Sequence, residues 1–225
     1  MAKSEKRAVH MQGVREKILT TAENLFLSQG YKNTTIRQIV QMSGITSGSI
    51  YNIFEDKEHL FSALVDKFMD IIQDSVDKEL KGEDGPHRLA GLIYVELYCA
   101  QLNPVMREMM AASHVSPILL EDIIARHERV IYAVTGNTKQ DESFRSDLLL
   151  AEGSVGAYLF AFEFNVKPNP SVLREKVVCD VFRAMGLEAE EIALLIRFVR
   201  EKEPVWQKNC GLHPEAVGCM NSSNQ

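Results

Sequence analysis

The stretch from Thr34 to Lys57 spells two short helices joined by a glycine turn, and few folds accommodate that order. Thr35 is placed to cap a helix whose apolar positions Ile36, Ile39 and Val40 share one face. Gly44 then supplies the positive φ that ends the helix and swings the chain sharply. A second helix starts near Thr46. In such a helix-turn-helix the second helix enters the DNA major groove while the first crosses the backbone, so exposed positions of the second must be small, polar or hydrogen-bonding. Thr46, Ser47, Ser49, Tyr51 and Asn52 meet that demand, whereas Ile39, Ile45, Ile50 and Phe54 read as the core of the small domain.

Roles within the unit follow from chemistry. Thr35 and Lys57 sit at helix starts, where free amides and a positive charge suit a phosphate, and Tyr51 offers a hydroxyl to the DNA backbone. Arg37, Thr46, Ser47 and Asn52 are the candidates for base edges, arginine pairing well with guanine and asparagine with adenine. Gly48 leaves room for the helix to approach the sugar-phosphate wall.

The order from Gly44 through Ile45, Thr46, Ser47, Gly48, Ser49, Ile50, Tyr51, Asn52 and Ile53 to Phe54, followed by Asp56, Lys57, Glu58 and an apolar helix, resembles the N-terminal signature of the TetR family of bacterial transcriptional regulators. Upstream, Ile18, Ala22, Leu25 and Phe26 at helical spacing, then Gly30, Tyr31, Thr34 and Thr35, complete the pattern, which covers roughly residues 13 to 65. Three positions depart from it. The family commonly has lysine where this chain has Ser47, alanine where it has Val40 and an aromatic where it has Ile53. Loss of the lysine removes a phosphate contact. The resemblance implies an all-α chain, with a three-helix DNA-binding domain followed by a larger helical domain for ligand binding and dimerisation. It also implies a homodimeric repressor that leaves its double-stranded operator when a small-molecule effector binds.

Charge is consistent with that division. The net charge of −6 is unevenly spread: residues 1 to 57 carry 8 basic and 5 acidic side chains, net +3, and residues 58 to 225 carry 17 and 26, net −9. A basic reader joined to an acidic body keeps phosphate contact at one end. Residues 1 to 13 are polar and basic, unlike a secretory signal, and no apolar run approaches the ~20 residues that span a bilayer. A cytoplasmic protein with no membrane contact is expected. Cys99, Cys179, Cys210 and Cys219 lack paired spacing and read as free thiols.

Beyond Lys57 the periodicity is helical throughout. Leu60, Leu64, Phe68, Ile71, Ile72 and Val76 keep one stripe, predicting a long helix that ends near Gly82 to Gly85. Further helices are predicted over 86–101, 104–113, 117–134, 144–165, 171–185 and 188–207, punctuated by Pro, Gly and Asn. The domains are expected at 1–57 for DNA binding, 58–209 for regulation and dimerisation, and 210–225 as a frayed tail. In the helix near 144–165, Gly153, Ala157 and Ala161 form a smooth strip suited to a close helix partner across a dimer. Tyr94, Tyr98, Met106, Met109, Met110, Phe160 and Phe162 are candidates to line an apolar ligand cavity. Glu163 interrupts an apolar run and is a candidate to meet a cationic ligand, an arginine across the dimer, or water.

Other chemistry finds no support. The segment holding Cys210, His213 and Cys219 matches no zinc spacing, so neither metal nor cofactor is expected. His127 and Glu128 lack a second histidine at zincin spacing and read as a polar helix face. No phosphate-binding glycine loop, nucleophile elbow or recognisable catalytic triad occurs, which argues against an enzyme. The alternative is a regulator that is ligand-independent or senses redox through Cys99 or Cys179, and the apolar contexts of both thiols oppose it.

Overall fold

The computed structural model describes residues 3–135, 142–164 and 168–210, with side chains over 5–133, 143–164 and 168–206. Among the described residues all regular structure is helical. Ten α-helices follow in order: α1 (Lys3–Gln29), α2 (Ile36–Ser43), α3 (Ser47–Tyr51), α4 (Lys57–Glu79), α5 (Gly85–Leu102), α6 (Pro104–Ser113), α7 (Pro117–Thr135), α8 (Glu142–Phe160), α9 (Pro170–Ala184) and α10 (Ala189–Cys210). A single 3-10 turn, Ala161–Glu163, follows α8. Most limits lie near the predicted punctuation, but α8 ends at Phe160, short of the expected 165, and α10 runs past the expected 207 to Cys210. Asp84, Asn103 and Asn169 cap α5, α6 and α9 with their side chains, each ahead of a proline whose missing N–H suits the first turn.

The chain divides into two compact units, residues 1–67 and 68–225. The first turns of α4 belong to the small unit, and their Leu60, Phe61 and Leu64 are fully buried. Its core also holds Ile18, Leu19, Ala22 and Phe26 of α1, with Ile39, Ile50 and Phe54. Phe26, Tyr31 and Phe61 meet ring to ring, with centroids 4.3 to 5.7 Å apart. Ile45 is only half-buried, so it contributes less than expected.

In the larger unit α5 is central, packing against α6, α7, α8, α9 and α10. A helix surrounded in this way must be apolar round most of its circumference, and α5 buries nine residues, among them Leu89, Leu92, Val95 and Leu97. Gly91 allows the closest approach: a Cβ there would lie 2.5 Å from Leu80 Cδ1 and 3.3 Å from Trp206 Cζ2. Helix α8 has two different sides. Leu148, Ala151, Val155, Tyr158 and Leu159 point into the core, while Leu149, Leu150, Gly153, Ala157 and Phe160 are exposed. Ala161 is buried, so the smooth strip expected to continue through it stops at Ala157. The tail from 211 onward, with His213 and Cys219, lies outside the described residues. No helix among the described residues is long and apolar enough to cross a membrane.

Candidate functional site

The helix-turn-helix is built by its own side chains. Thr35 is extended at φ −121°, its hydroxyl accepts from the Gln38 amide at 3.3 Å, and the Gln38 carboxamide accepts from the Thr35 amide at 2.8 Å. This reciprocal capping box satisfies two free donors at the start of α2. Gly44 takes φ +66° and donates to the Val40 carbonyl at 3.0 Å, as the turn requires. The buried Ser43 hydroxyl then accepts from the Ile45 amide at 3.1 Å, a fixture of the turn the sequence reading missed. Thr46 caps α3, accepting from the Ser49 amide at 3.2 Å, and its hydroxyl lies 2.9 Å from that of Ser49.

With Ile50 fully buried, the five-residue α3 is pinned by one face. Gly48 and the C-cap Asn52 fall opposite Ile50 by helical spacing, with Ser47 and Tyr51 flanking it, and all four are exposed. Thr35, Arg37 and Thr46 are exposed beside them in sequence, and Ser49 is half-buried. Space beside Gly48 is open, since a Cβ there would meet nothing within 4 Å.

Lys57 has partners that its position at a helix start does not reveal. Its ammonium donates to the Tyr31 and Thr34 carbonyls, each at 3.0 Å, and lies 4.1 Å from the centre of the Tyr31 ring. Partial burial pulls its pKa down, against the effect of Glu58. The lysine thus ties the start of α4 to the α1–α2 turn. Lys57→Met is expected to cost the small unit about 1 to 3 kcal/mol, as for hydrogen bonds made by a charged group, with little change in the salt slope of DNA binding. A direct phosphate contact would instead flatten that slope by about one unit. Thermal unfolding and binding at several salt concentrations separate the two.

The larger unit contains an apolar cleft between α5, α7 and α8, with about 450 Å³ of space not filled by atoms, part of it open to solvent. Leu89, Leu92, Ile93, Leu97, Val130, Ile131, Leu148, Val155 and Val181 line it together with Glu96, His127 and Glu152. His127 Nδ1 donates to Glu152 at 2.5 Å, His114 Nε2 lies 3.3 Å from the other oxygen of Glu152, and His127 Nε2 stands 3.8 Å from Glu96. Burial alone would raise the Glu152 carboxyl, but the charge of His127 and hydrogen bonds from His114 and His127 bring it down to about 2. Burial likewise opposes charge on His127, and Glu152 overcomes it, lifting the imidazole to about 9. Glu96 is pushed up by burial, against the pull of His127 and Arg126.

None of the residues first singled out for a ligand lines this cleft. Tyr94 and Tyr98 flank the buried guanidinium of Arg174, whose Cζ lies 4.8 and 4.9 Å from their ring centres. Arg174 also reaches Glu203 at 3.1 Å, the Tyr94 hydroxyl at 3.2 Å, and Gln101. Met106 and Met109 are plain core, and Phe160 and Glu163 face outward. The polar-face reading of His127 is also corrected, since its side chain is turned into the cleft. The signal that selected Glu163, an acid inside an apolar run, applies equally to Glu96 and Glu152, and only there does the acid go inward. Cys99 and Cys179 are half-buried, and burial raises the Cys179 thiol, which disfavours the reactive thiolate.

Comparison with known proteins matches this architecture. Residues 18–64 fit the family model described as bacterial regulatory proteins, tetR family. The transcriptional regulator HbdR of Aromatoleum is 31% identical over 90 residues, 40% of this chain and 38% of its own length. The transcriptional repressor KstR2 of Rhodococcus jostii is 28% identical over 153 residues, 60% of this chain and 70% of its own. The match to HbdR thus spans well under half of that relative. Among solved structures, RolR in complex with resorcinol superposes with a TM-score of 0.57 at 20% identity, covering 84% of this chain and 95% of that one. A TetR-family regulator from Syntrophomonas wolfei gives 0.53 at 22% identity, covering 79% and 98%. With the capped helix pair and the glycine turn beside these likenesses, residues 18–64 form the N-terminal domain of the tetR family of bacterial regulatory proteins, followed by an all-helical body.

Proposed function

We propose that the protein is a cytoplasmic, homodimeric repressor that holds a palindromic operator through α2 and α3 and releases it when a small, largely apolar molecule enters the larger unit. One observation carries the DNA-binding part: small and hydrogen-bonding side chains are exposed on α3 while Ile50 anchors its opposite face. Arg37, Thr46, Ser47 and Asn52 are assigned to base edges, and Thr35, Ser49 and Tyr51 to the sugar-phosphate wall, with Gly48 permitting close approach. The reader, assigned to residues 1–57, is completed by the first turns of α4, and residues 58–209 otherwise form the regulatory and dimerising part. Two readers are needed because successive half-sites lie about 34 to 36 Å apart. The exposed apolar stripe of Leu149, Leu150, Gly153, Ala157 and Phe160 on α8 supports a helix-to-helix dimer contact.

Release follows from linkage between cleft and reader. Arg126, next to His127 on α7, pairs at 2.9 Å with Asp70 on α4, and α4 is the helix whose first turns belong to the small unit. A ligand that displaces α7 therefore biases α4, and a coupling of ~1 to 3 kcal/mol weakens DNA binding by about 5- to 150-fold.

The test combines sedimentation with binding to single-base operator variants. A dimer is expected at micromolar concentration, with a palindrome bound more tightly than an isolated half-site. Arg37→Ala and Asn52→Ala should each relax preference at one base pair by roughly 1 to 3 kcal/mol. Tyr51→Phe should weaken all sequences alike. A strict monomer that binds half-site and palindrome equally, or unchanged preference profiles for both variants, would sink the proposal.

A further inference from the structure

We infer that the cleft between α5, α7 and α8 binds a small apolar molecule bearing a hydroxyl group, an alcohol or a phenol, whose oxygen is held between His127 Nε2 and Glu96; this rests on the ligand-release reading above. The walls supply the apolar part, chiefly Leu92, Ile93, Val130, Ile131 and Val155. The cleft is narrow, so only a slender molecule enters without parting the helices.

Specificity comes from what the polar residues leave unjoined. Glu152 is occupied on both oxygens, by His127 at 2.5 Å and His114 at 3.3 Å. His127 has spent its Nδ1 on that bond, and Nε2 remains. Glu96 is more than nine-tenths buried, lines the cleft, and among the described residues its nearest ion-pair partner is that same Nε2, at 3.8 Å. This separation is beyond hydrogen-bond range, so a donor and an acceptor stand side by side on an apolar wall without meeting each other. The two attract as an ion pair across that gap, and a hydroxyl set between them adds the hydrogen bonds that the distance denies.

A hydroxyl oxygen about 2.8 Å from both atoms satisfies the two at once, accepting from Nε2–H and donating to the Glu96 carboxyl. Other heads fit worse. A protonated amine only donates, leaving Nε2–H unmatched and setting a second cation beside the imidazolium, whose proton Glu152 retains to about pH 9. A carboxylate only accepts, and faces Glu96 and Glu152 together. Arg126, paired at 2.9 Å with Asp70, also acts on Glu96 and His127, and its positive charge adds to the cost of a cationic head. Among the described residues no His, Cys, Asp and Glu group is arranged to hold a metal ion.

The experiment titrates full-length protein with five probes that share a ring and differ in the head: phenol, benzyl alcohol, benzylamine, benzoate and toluene. Binding is read from NMR shifts of the Ile93, Val130 and Ile131 methyl groups, and operator affinity is measured in parallel. At least one hydroxyl compound is expected to bind about tenfold or more tightly than toluene, benzylamine and benzoate, and phenol against benzyl alcohol tells which hydroxyl class is read. Glu96→Leu should erase the preference over toluene, and Glu96→Gln, which keeps an acceptor, should retain part of it. Toluene binding as well as both hydroxyl compounds, a tighter amine or carboxylate, shifts that map away from the cleft, or no binding up to the solubility limit would each overturn the inference. The wild-type series decides the matter even if Glu96→Leu does not fold. Hydroxyl-selective binding without loss of operator affinity would support the site and reject ligand release. Release by a compound of another class, undiminished in Glu96→Leu, would reject the site and keep release.

Discussion

Glu152→Ala should destabilise the larger unit by about 3 to 5 kcal/mol near pH 6, because it leaves a buried imidazolium with only the more distant Glu96 as counter-charge. The Glu152 side chain is 4% exposed and that of His127 19%, so solvent screens the pair little. Its acceptors serve two histidines, and no neighbour is placed to replace them: Glu96 already stands 3.8 Å from the far side of His127. The pH dependence carries the signature. His127 is raised from its usual 6.5 to about 9, so its contribution is fully present below the unfolded value and is lost as pH rises through the folded one. Glu152 is lowered from 4.5 to about 2, so its contribution is present above the unfolded value and is lost as pH falls through the folded one. These are two views of one interaction, fully present between about pH 4.5 and 6.5. Wild-type stability should therefore fall by about 3 kcal/mol between pH 6.5 and 9.5 through this pair, a fall that Glu152→Ala lacks. Trp206 is the chain's one tryptophan and is buried in the same unit, which makes its fluorescence a direct readout of urea unfolding. A loss below 1 kcal/mol at pH 6, or parallel wild-type and variant curves from pH 6.5 to 9.5, would show that the pair is not ionised as described.

The helix-turn-helix was legible because its determinants are local. A cap at Thr35, a left-handed glycine at Gly44 and a second cap at Thr46 act over three or four residues, the range at which sequence order fixes geometry. Helix limits in the body were legible for the same reason, since Asp84, Asn103 and Asn169 each cap their own helices. The cleft was not, because its polar residues are contributed by α5, α7 and α8 from positions 96, 127 and 152, and no local pattern joins them. An acid within an apolar run signals either a buried partner or a turn outward, and the choice depends on what the facing helix offers. Glu152 meets His114 and His127, whereas Glu163 sits on the 3-10 turn that ends α8 and faces outward. Aromatic residues mislead similarly. Tyr94 and Tyr98 looked like cavity walls, yet Arg174, 80 and 76 positions further along, lies against both rings. Lys57 shows the same limit within the reader, since a helix-start lysine suits a phosphate until Tyr31 and Thr34 are seen to hold it.

Gly48→Glu should reduce operator binding by at least a hundredfold while leaving the fold as stable as before. Position 48 is exposed in the first turn of α3, its backbone is helical, and an added Cβ meets nothing within 4 Å. Replacing glycine in a helix gains roughly 0.5 to 1 kcal/mol, and an acid near a helix N-terminus is favourable, so unfolding should shift slightly upward if at all. Against DNA the same side chain fails in two ways. It fills the space that lets α3 approach the groove, and it brings a negative charge to a surface whose binding depends on displacing counterions from phosphate. In a dimer both readers carry the change, which doubles its free-energy effect, and about 1.4 kcal/mol per reader already amounts to a hundredfold. Gly48→Ala separates the two causes, since a loss that persists with alanine is steric and one that appears only with glutamate is electrostatic and should diminish as salt rises. Operator affinity within tenfold of wild type for Gly48→Glu, in protein that melts normally, would remove α3 from the DNA interface and leave the exposed polar face of this short helix without a role.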